Sequence, residues 1–187
     1  PKVEQYFIRK FSWFGSKTKM YERHVTDHVH VTGQNLFFGA SGDIEVHGTI
    51  QASGELGLKS SDGDIKLSAD EIEVNKTIKW KSFFGRDLTF NFKEPVIKQS
   101  VLRAENAYMM ANNIEVIGSL ITIKDHLQIV SQNNIKVLPI ALMTSYCHHA
   151  GKTTTSEVAI KHVVSEINAG ILNIDAGRAV EFISTLI

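Results

Sequence analysis

Apolar residues in pairs, one residue apart and fenced by Gly, Asn, Asp or Ser, recur along this chain, and no other feature limits its fold so sharply. Thr32–Gln51 ("TGQNLFFGASGDIEVHGTIQ") and Asn168–Ile187 ("NAGILNIDAGRAVEFISTLI") align without a gap. Leu36 meets Leu172, Ala40 meets Ala176, Glu45 meets Glu181 and Thr49 meets Thr185. The alternation matches as well: Phe38 with Ile174, Ile44 with Val180, Val46 with Phe182. A further copy, "ASGELGLKSSDGDIKLSADEIEV", carries Leu56/Leu58, Ile65/Leu67 and Ile72/Val74. The middle of the chain supplies Ile114/Val116, Ile121/Ile123, Leu127/Ile129 and Ile135/Val137.

Each pair reads as a very short strand with one inward face. Successive pairs start too close together for helices to intervene. Hairpins favour two-residue turns and longer strands, whereas these corners vary and the larger repeat runs to about 20 residues. The pattern predicts an all-β parallel β-helix with three short strands per coil. Each strand pairs with its equivalent one coil away, at a rise of roughly 4.8 Å. Leu36, Ile44, Leu56, Ile65, Ile114, Leu127, Ile135, Leu172 and Val180 are expected to point inward and stack in files. "ASGD" (Ala40–Asp43), "SDGD" (Ser61–Asp64) and "ANN" (Ala111–Asn113) are expected corners, with Gly and Asn supplying positive φ.

A longer period interrupts the coils. "IRKFSWFGSK" (Ile8–Lys17) parallels "IKWKSFFGRD" (Ile78–Asp87): Ile8 meets Ile78, Ser12 meets Ser82, Phe14 meets Phe84 and Gly15 meets Gly85. A degenerate third copy is "TSYCHHAGKTTT" (Thr144–Thr155). These elements, each followed by alternating polar sequence, predict extrahelical β-hairpin excursions over about 5–31, 75–101 and 138–166. Trp13, Phe14, Trp80, Phe83 and Phe84 have two readings: aromatics that fold back and cap the coil, or a contact surface for a partner or a membrane.

Composition narrows the function classes. Apolar residues make up 43% and charged residues 21%, as in a folded chain. Twenty basic and twenty acidic residues cancel, leaving no basic footprint for nucleic acid. A single cysteine, Cys147, excludes an internal disulfide framework. The chain opens at Pro1 and stops in "STLI"; it reads as one repeat segment cut from something longer, whose open ends predict end-to-end self-association.

Chemical motifs are sparse. Asp43/Glu45, Asp62/Asp64 and Asp70/Glu71/Glu73 pair carboxylates, but acid–base chemistry needs two of them converging on one bond, and Asp in a corner is explained by turn formation. His24, His28 and His30 would share one face of a strand, where imidazoles can take zinc or copper; three ligands from one strand strain that geometry, and an exposed polar face of an excursion is the preferred reading. In "YCHH" (Tyr146–His149), sequence neighbours point to opposite faces of a strand, poor geometry for a Cys/His pair. The expectation is no enzyme, no catalytic residue, no structural metal and no cofactor.

The Gly/Asn-cornered pairs of "INAGILNIDAGRAVEFIS", with inserts containing "SWFGSKTK" and "KSFFGRD", resemble the hemagglutinin repeats of filamentous-hemagglutinin-type exoproteins. They are most similar to the second repeat region of contact-dependent growth inhibition effectors. The resemblance implies a right-handed β-helix, two-partner secretion through an outer-membrane transporter, and a location outside a Gram-negative cell or at its outer membrane. It implies as partners the target-cell surface or outer membrane, adjoining coils and a C-terminal toxin module. An adhesin for a host receptor or glycan, and a carbohydrate-active β-helix enzyme, are the alternatives.

Overall fold

The computed structural model describes residues 2–12, 15–25, 29–82, 87–150 and 153–183. The chain is all-β, 79% strand, and no helix occurs among the described residues. It opens with β1 (Lys2–Ser12) and β2 (Gly15–Val25). A first tier follows: β3 (Val29–Gly33), β4 (Leu36–Ala40) and β5 (Ile44–Val46). A second consists of β6 (Gly48–Ala52), β7 (Glu55–Ser60) and β8 (Ile65–Ser68). Two long strands intervene, β9 (Asp70–Ser82) and β10 (Asp87–Lys98). The third tier is β11 (Val101–Ala104), β12 (Asn106–Ala111) and β13 (Ile114–Ile117). The fourth is β14 (Leu120–Ser131) and β15 (Asn134–Leu138). After β16 (Ile140–Ala150) and β17 (Thr153–Val163), β18 (Glu166–Ala176) and β19 (Ala179–Phe182) make the fifth.

By contacts the chain divides into two units. The larger holds residues 28–70, 98–140 and 162–187. Its strands form three parallel ladders, each in strict chain order. One runs β3, β6, β11, the first part of β14 and the first part of β18. The next runs β4, β7, β12 and the second parts of β14 and β18. The last runs β5, β8, β13, β15, β19. Because β14 passes through two ladders, these share one eight-stranded sheet.

Strict register makes the apolar pairs into files. Ile65, Ile114 and Ile135 are successive partners and each is 0% exposed. Leu58, Met109 and Ile129 form a second file, and Ile50, Leu102, Ile121 and Ile167 a third. All belong to one core cluster. Burying each Leu or Ile contributes about 1.5–3 kcal/mol. No tier could hide these faces by itself, so the tiers are stable only together.

The smaller unit holds residues 1–27, 71–97 and 141–161. Its sheet runs β1-β2-β9-β10-β16-β17. β1 and β2 pair antiparallel from Lys2↔Val25 to Ser12↔Gly15. β2 then pairs antiparallel with β9, and β10 with β16. The inserted segments therefore hydrogen-bond to one another across the sheet. Ile8 and Ile78 both face Lys19, one on each side of β2, and Ser12 and Ser82 both face Gly15. The long sequence period is thus a register period of this sheet. Thr77 Oγ1 donates to Asn91 Oδ1 at 3.0 Å, and the Phe90 and Phe92 rings stack 6.4 Å apart.

Several expectations need correction. Val180 lies in the Ile135 file but is 43% exposed, because no described strand follows β19 to cover it. Leu36, Ile44 and Leu172, at the outer tiers, are only partly buried against the core. Ile72 and Val74 belong to the long strand β9 of the antiparallel sheet. Val29 and Val101, inside the stretches read as excursions, begin ladder strands. Nor do the corner glycines Gly42 and Gly63 supply positive φ; Gly118 does, with φ of 56°. Gly63 is needed for clearance instead, since a Cβ there would meet the Asp43 amide nitrogen at 2.5 Å.

Candidate functional site

Of the five aromatic positions, Trp13, Phe14, Phe83 and Phe84 lie outside the described residues. Trp80 is a backbone position of β9, paired with Lys17 of β2. His28 also lies outside the described residues, and His30 sits exposed on β3. Cys147 pairs with Asn91 across β10 and β16. Among the described residues no three His, Cys, Asp or Glu side chains are grouped so as to hold a metal ion.

Of the corner carboxylates, Asp43 and Asp64 accept backbone amides, and Asp62 accepts the Ser61 hydroxyl. Asp43 Oδ1 accepts the Asp64 amide at 2.8 Å. Asp64 Oδ1 accepts both the Asn113 amide and its Nδ2 at 2.9 Å. Asn113 Oδ1 then accepts the Asn134 amide and Nδ2 at 3.3 Å. Four tiers are stitched at this corner, each side chain satisfying an amide of the next tier. The run stops at the fifth tier, where Asn134 meets Ala179. Asn35 and Asn106 do the same at the neighbouring corner: their Oδ1 atoms accept the Glu55 and His126 amides at 2.9 and 3.2 Å. Capping amides of this kind are worth about 0.5–1.5 kcal/mol each.

The outward columns carry charge and aromatics. On the third ladder Glu45, Lys66, Glu115, Lys136 and Glu181 succeed one another in register, alternating in sign. Opposite charges directly across a sheet attract, whereas like charges would repel. On the second ladder Phe37 and Tyr108 are two tiers apart with ring centroids 6.3 Å from each other. Gly57 lies between them, and a Cβ there would meet the Tyr108 ring at 2.5 Å. Tyr108 thereby roofs a bare stretch of backbone, while Phe37 remains 62% exposed.

One groove, of about 500 Å³, runs beside the first ladder and is lined by Gln51, Ser53, Arg103, Glu105, Thr122 and Lys124. Lys124 Nζ donates to Glu105 Oε1 at 3.0 Å. That bond raises the lysine pKa, helped by the charges of Glu105 and Asp125. Near the start of the stack, Val29, Phe38, Ile44 and Leu58 line a largely apolar cavity of about 290 Å³. His47 stands at its rim, with Nδ1 2.9 Å from Asp70 Oδ1 and Nε2 3.7 Å from Glu45 Oε2.

Sequence reasoning missed the buried polar residues. Ser100, Ser119 and Ser165 are each 0% exposed and carry the hydrogen bonds where tiers join. Their one shared feature is position, a serine directly before each strand that starts at Val101, Leu120 and Glu166. Comparison of the chain with protein families, with curated proteins and with solved structures gives no match.

Proposed function

We propose that the three parallel ladders are the faces of a right-handed β-helix, three strands to a coil, and that this chain is a structural and delivery segment of a bacterial exoprotein. The observation that carries the reading is the strict chain order of all three ladders, with equivalent residues in register over five tiers. A fold of that kind offers length and outward surface. Its core is continuous along the stack, so its corners and faces can vary without disturbing the inside.

In this reading the protein is secreted by two-partner secretion and acts at the outer membrane of a target bacterium, in adhesion or in the transfer of a C-terminal toxin. The resemblance of the repeats and the "FFG" inserts to contact-dependent inhibition effectors supports it. Trp13, Phe14, Trp80, Phe83 and Phe84 are its proposed contact residues. The test is binding of the labelled chain to outer-membrane vesicles. Saturable binding, weakened at least tenfold when those five positions become Ser, is expected; a chain that binds no better than albumin would overturn the reading.

A second reading, a glycan-binding adhesin segment, is favoured by the exposed Phe37 ring beside Tyr108, since aromatic faces pack against apolar ligand surfaces. Phe37→Ala would then abolish binding to a glycan array while sparing the vesicles.

A further inference from the structure

The corner joining the third ladder to the first closes in the same way whatever lies between its two sides. Ser100, Ser119 and Ser165 each precede a first-ladder strand, and each hydroxyl donates to the carbonyl that ends the preceding tier. Ser100 Oγ reaches Ser68 O at 2.6 Å, Ser119 Oγ reaches Ile117 O at 2.9 Å and Ser165 Oγ reaches Leu138 O at 2.7 Å. The three acceptors are equivalent, for Ser68, Ile117 and Leu138 are partners in register. In sequence, however, the bonded residues are 32, 2 and 27 positions apart.

The two long closures match in further detail. Ser100 Oγ also lies 3.0 Å from Val46 O and accepts the Gly48 amide at 3.0 Å. Ser165 Oγ lies 3.2 Å from Val116 O and accepts the Ser119 amide at 3.3 Å. Val46 and Val116 share a file through Leu67. A single returning serine therefore ties its own tier to the two before it, in both places.

Where nothing is inserted, glycine makes the turn. Gly118 adopts φ of 56°, and a Cβ there would meet Ile140 Cγ2 at 2.5 Å. Gly48 passes so close to Val29 that a Cβ would strike its carbonyl oxygen. The alternatives at this corner are a bare glycine turn or an inserted segment whose two ends converge.

We propose that this corner is the insertion site of the fold, a position at which the stack accepts an independent segment of chain. The segment it takes is an antiparallel strand pair that leaves and returns side by side, and the buried serine seals its base. Lengthening such a segment costs little, because closure entropy grows only with the logarithm of length. The site is a property of the stack and does not rest on what the inserted strands contact.

Two variants of the full chain test this. In the first, Ala69–Gln99 is excised and Ser68 is joined to Ser100 through one glycine, copying the Ile117–Gly118–Ser119 link. A cooperative melt is expected, with slow hydrogen exchange retained at Ile65, Leu102 and Ile121. A shortened chain without those protected amides would overturn the proposal. The second variant is Ser165→Ala with the third insertion left in place. Exchange at the Ser119 amide should quicken at least tenfold while that at Ile50 and Ile65 is unchanged; equal exchange in parent and variant would equally overturn it.

Discussion

The middle tiers and the fifth tier are written in the same apolar code, yet only the middle tiers are dry. Ile65, Ile114 and Ile135 are 0% exposed, while Val180, next in the same file, is 43% exposed. Phe182 follows Val137 in register and is 39% exposed against 0%. The difference teaches that the inward direction is set by a strand's own alternation, but burial is conferred by its neighbours. A residue in this stack needs a covered tier on both sides before its apolar area counts fully.

The severest way to break the comparison is to put a charge in each place. Ile65→Asp leaves an unpaired carboxylate in the driest file, at a cost of several kcal/mol, on the order of the whole stability of a domain. Its cooperative thermal transition, followed by circular dichroism, should disappear. Val180→Asp should melt within a few degrees of the parent, because the carboxylate stays in water. If the two variants melted alike, burial would not follow tier position.

Truncation gives a smaller and finer measure. Ile135→Ala should cost about 2–5 kcal/mol, through lost burial plus the cavity left behind. Val180→Ala should cost under about 1 kcal/mol, since water already reaches the site. Urea unfolding would read the ratio, and near-equal values would contradict a covering role for adjoining tiers.

The corner amides sharpen the contrast further. Asn113 both receives and donates within the stitched corner, so Asn113→Ala should cost about 1–2 kcal/mol. Asn134→Ala, at the tier where the run ends, should cost less than half of that in the same assay. Reversal of the order would mean that the corner is held by something other than the amide run.

The smallest effect is expected at Lys124. Its ammonium is bonded to Glu105 on the open surface, where screening removes most of the gain. A raised pKa means that its contribution is present below the ordinary lysine value and is lost as the pH rises through the raised one. Because screening leaves that contribution small, Lys124→Met should leave the melting temperature essentially unchanged even through the neutral range, where the contribution is fully present. A drop of several degrees at neutral pH would show a role beyond this pair.

How much of this was legible in the sequence depended on side-chain size. The files built from Ile and Leu were plain from spacing: Leu36 and Leu172, or Ile44 and Val180, align in sequence and also share a file. Strands whose inward residues are Ala or Met were missed. β6 offers Ile50 and Ala52, β11 Leu102 and Ala104, and β12 Ala107 and Met109, pairs too weakly apolar to stand out from a loop. The pairing of separate inserted segments was not legible either, because antiparallel partners such as Thr89 and His149 are distant in sequence and share no motif. The serines escaped because a buried hydroxyl resembles a solvated one until its acceptors are known. Of the candidate contact residues, the sequence exposed the repeat but not the geometry.

The alternation of Glu45, Lys66, Glu115, Lys136 and Glu181 has a consequence for how such a stack would scatter. The core repeats with every tier, at roughly 4.8 Å. The charge column repeats with every second tier, and so do the inserted segments, which follow the tiers that contain Lys66 and Lys136. Surface and interior thus have different wavelengths, one twice the other. In an oriented fibre the backbone would give the familiar meridional spacing, while the surface would add a superlattice line at about double that distance. The smallest translational cell of the molecule is therefore a pair of tiers, and a change of one tier would leave the core in phase while shifting the exterior half a period out of step.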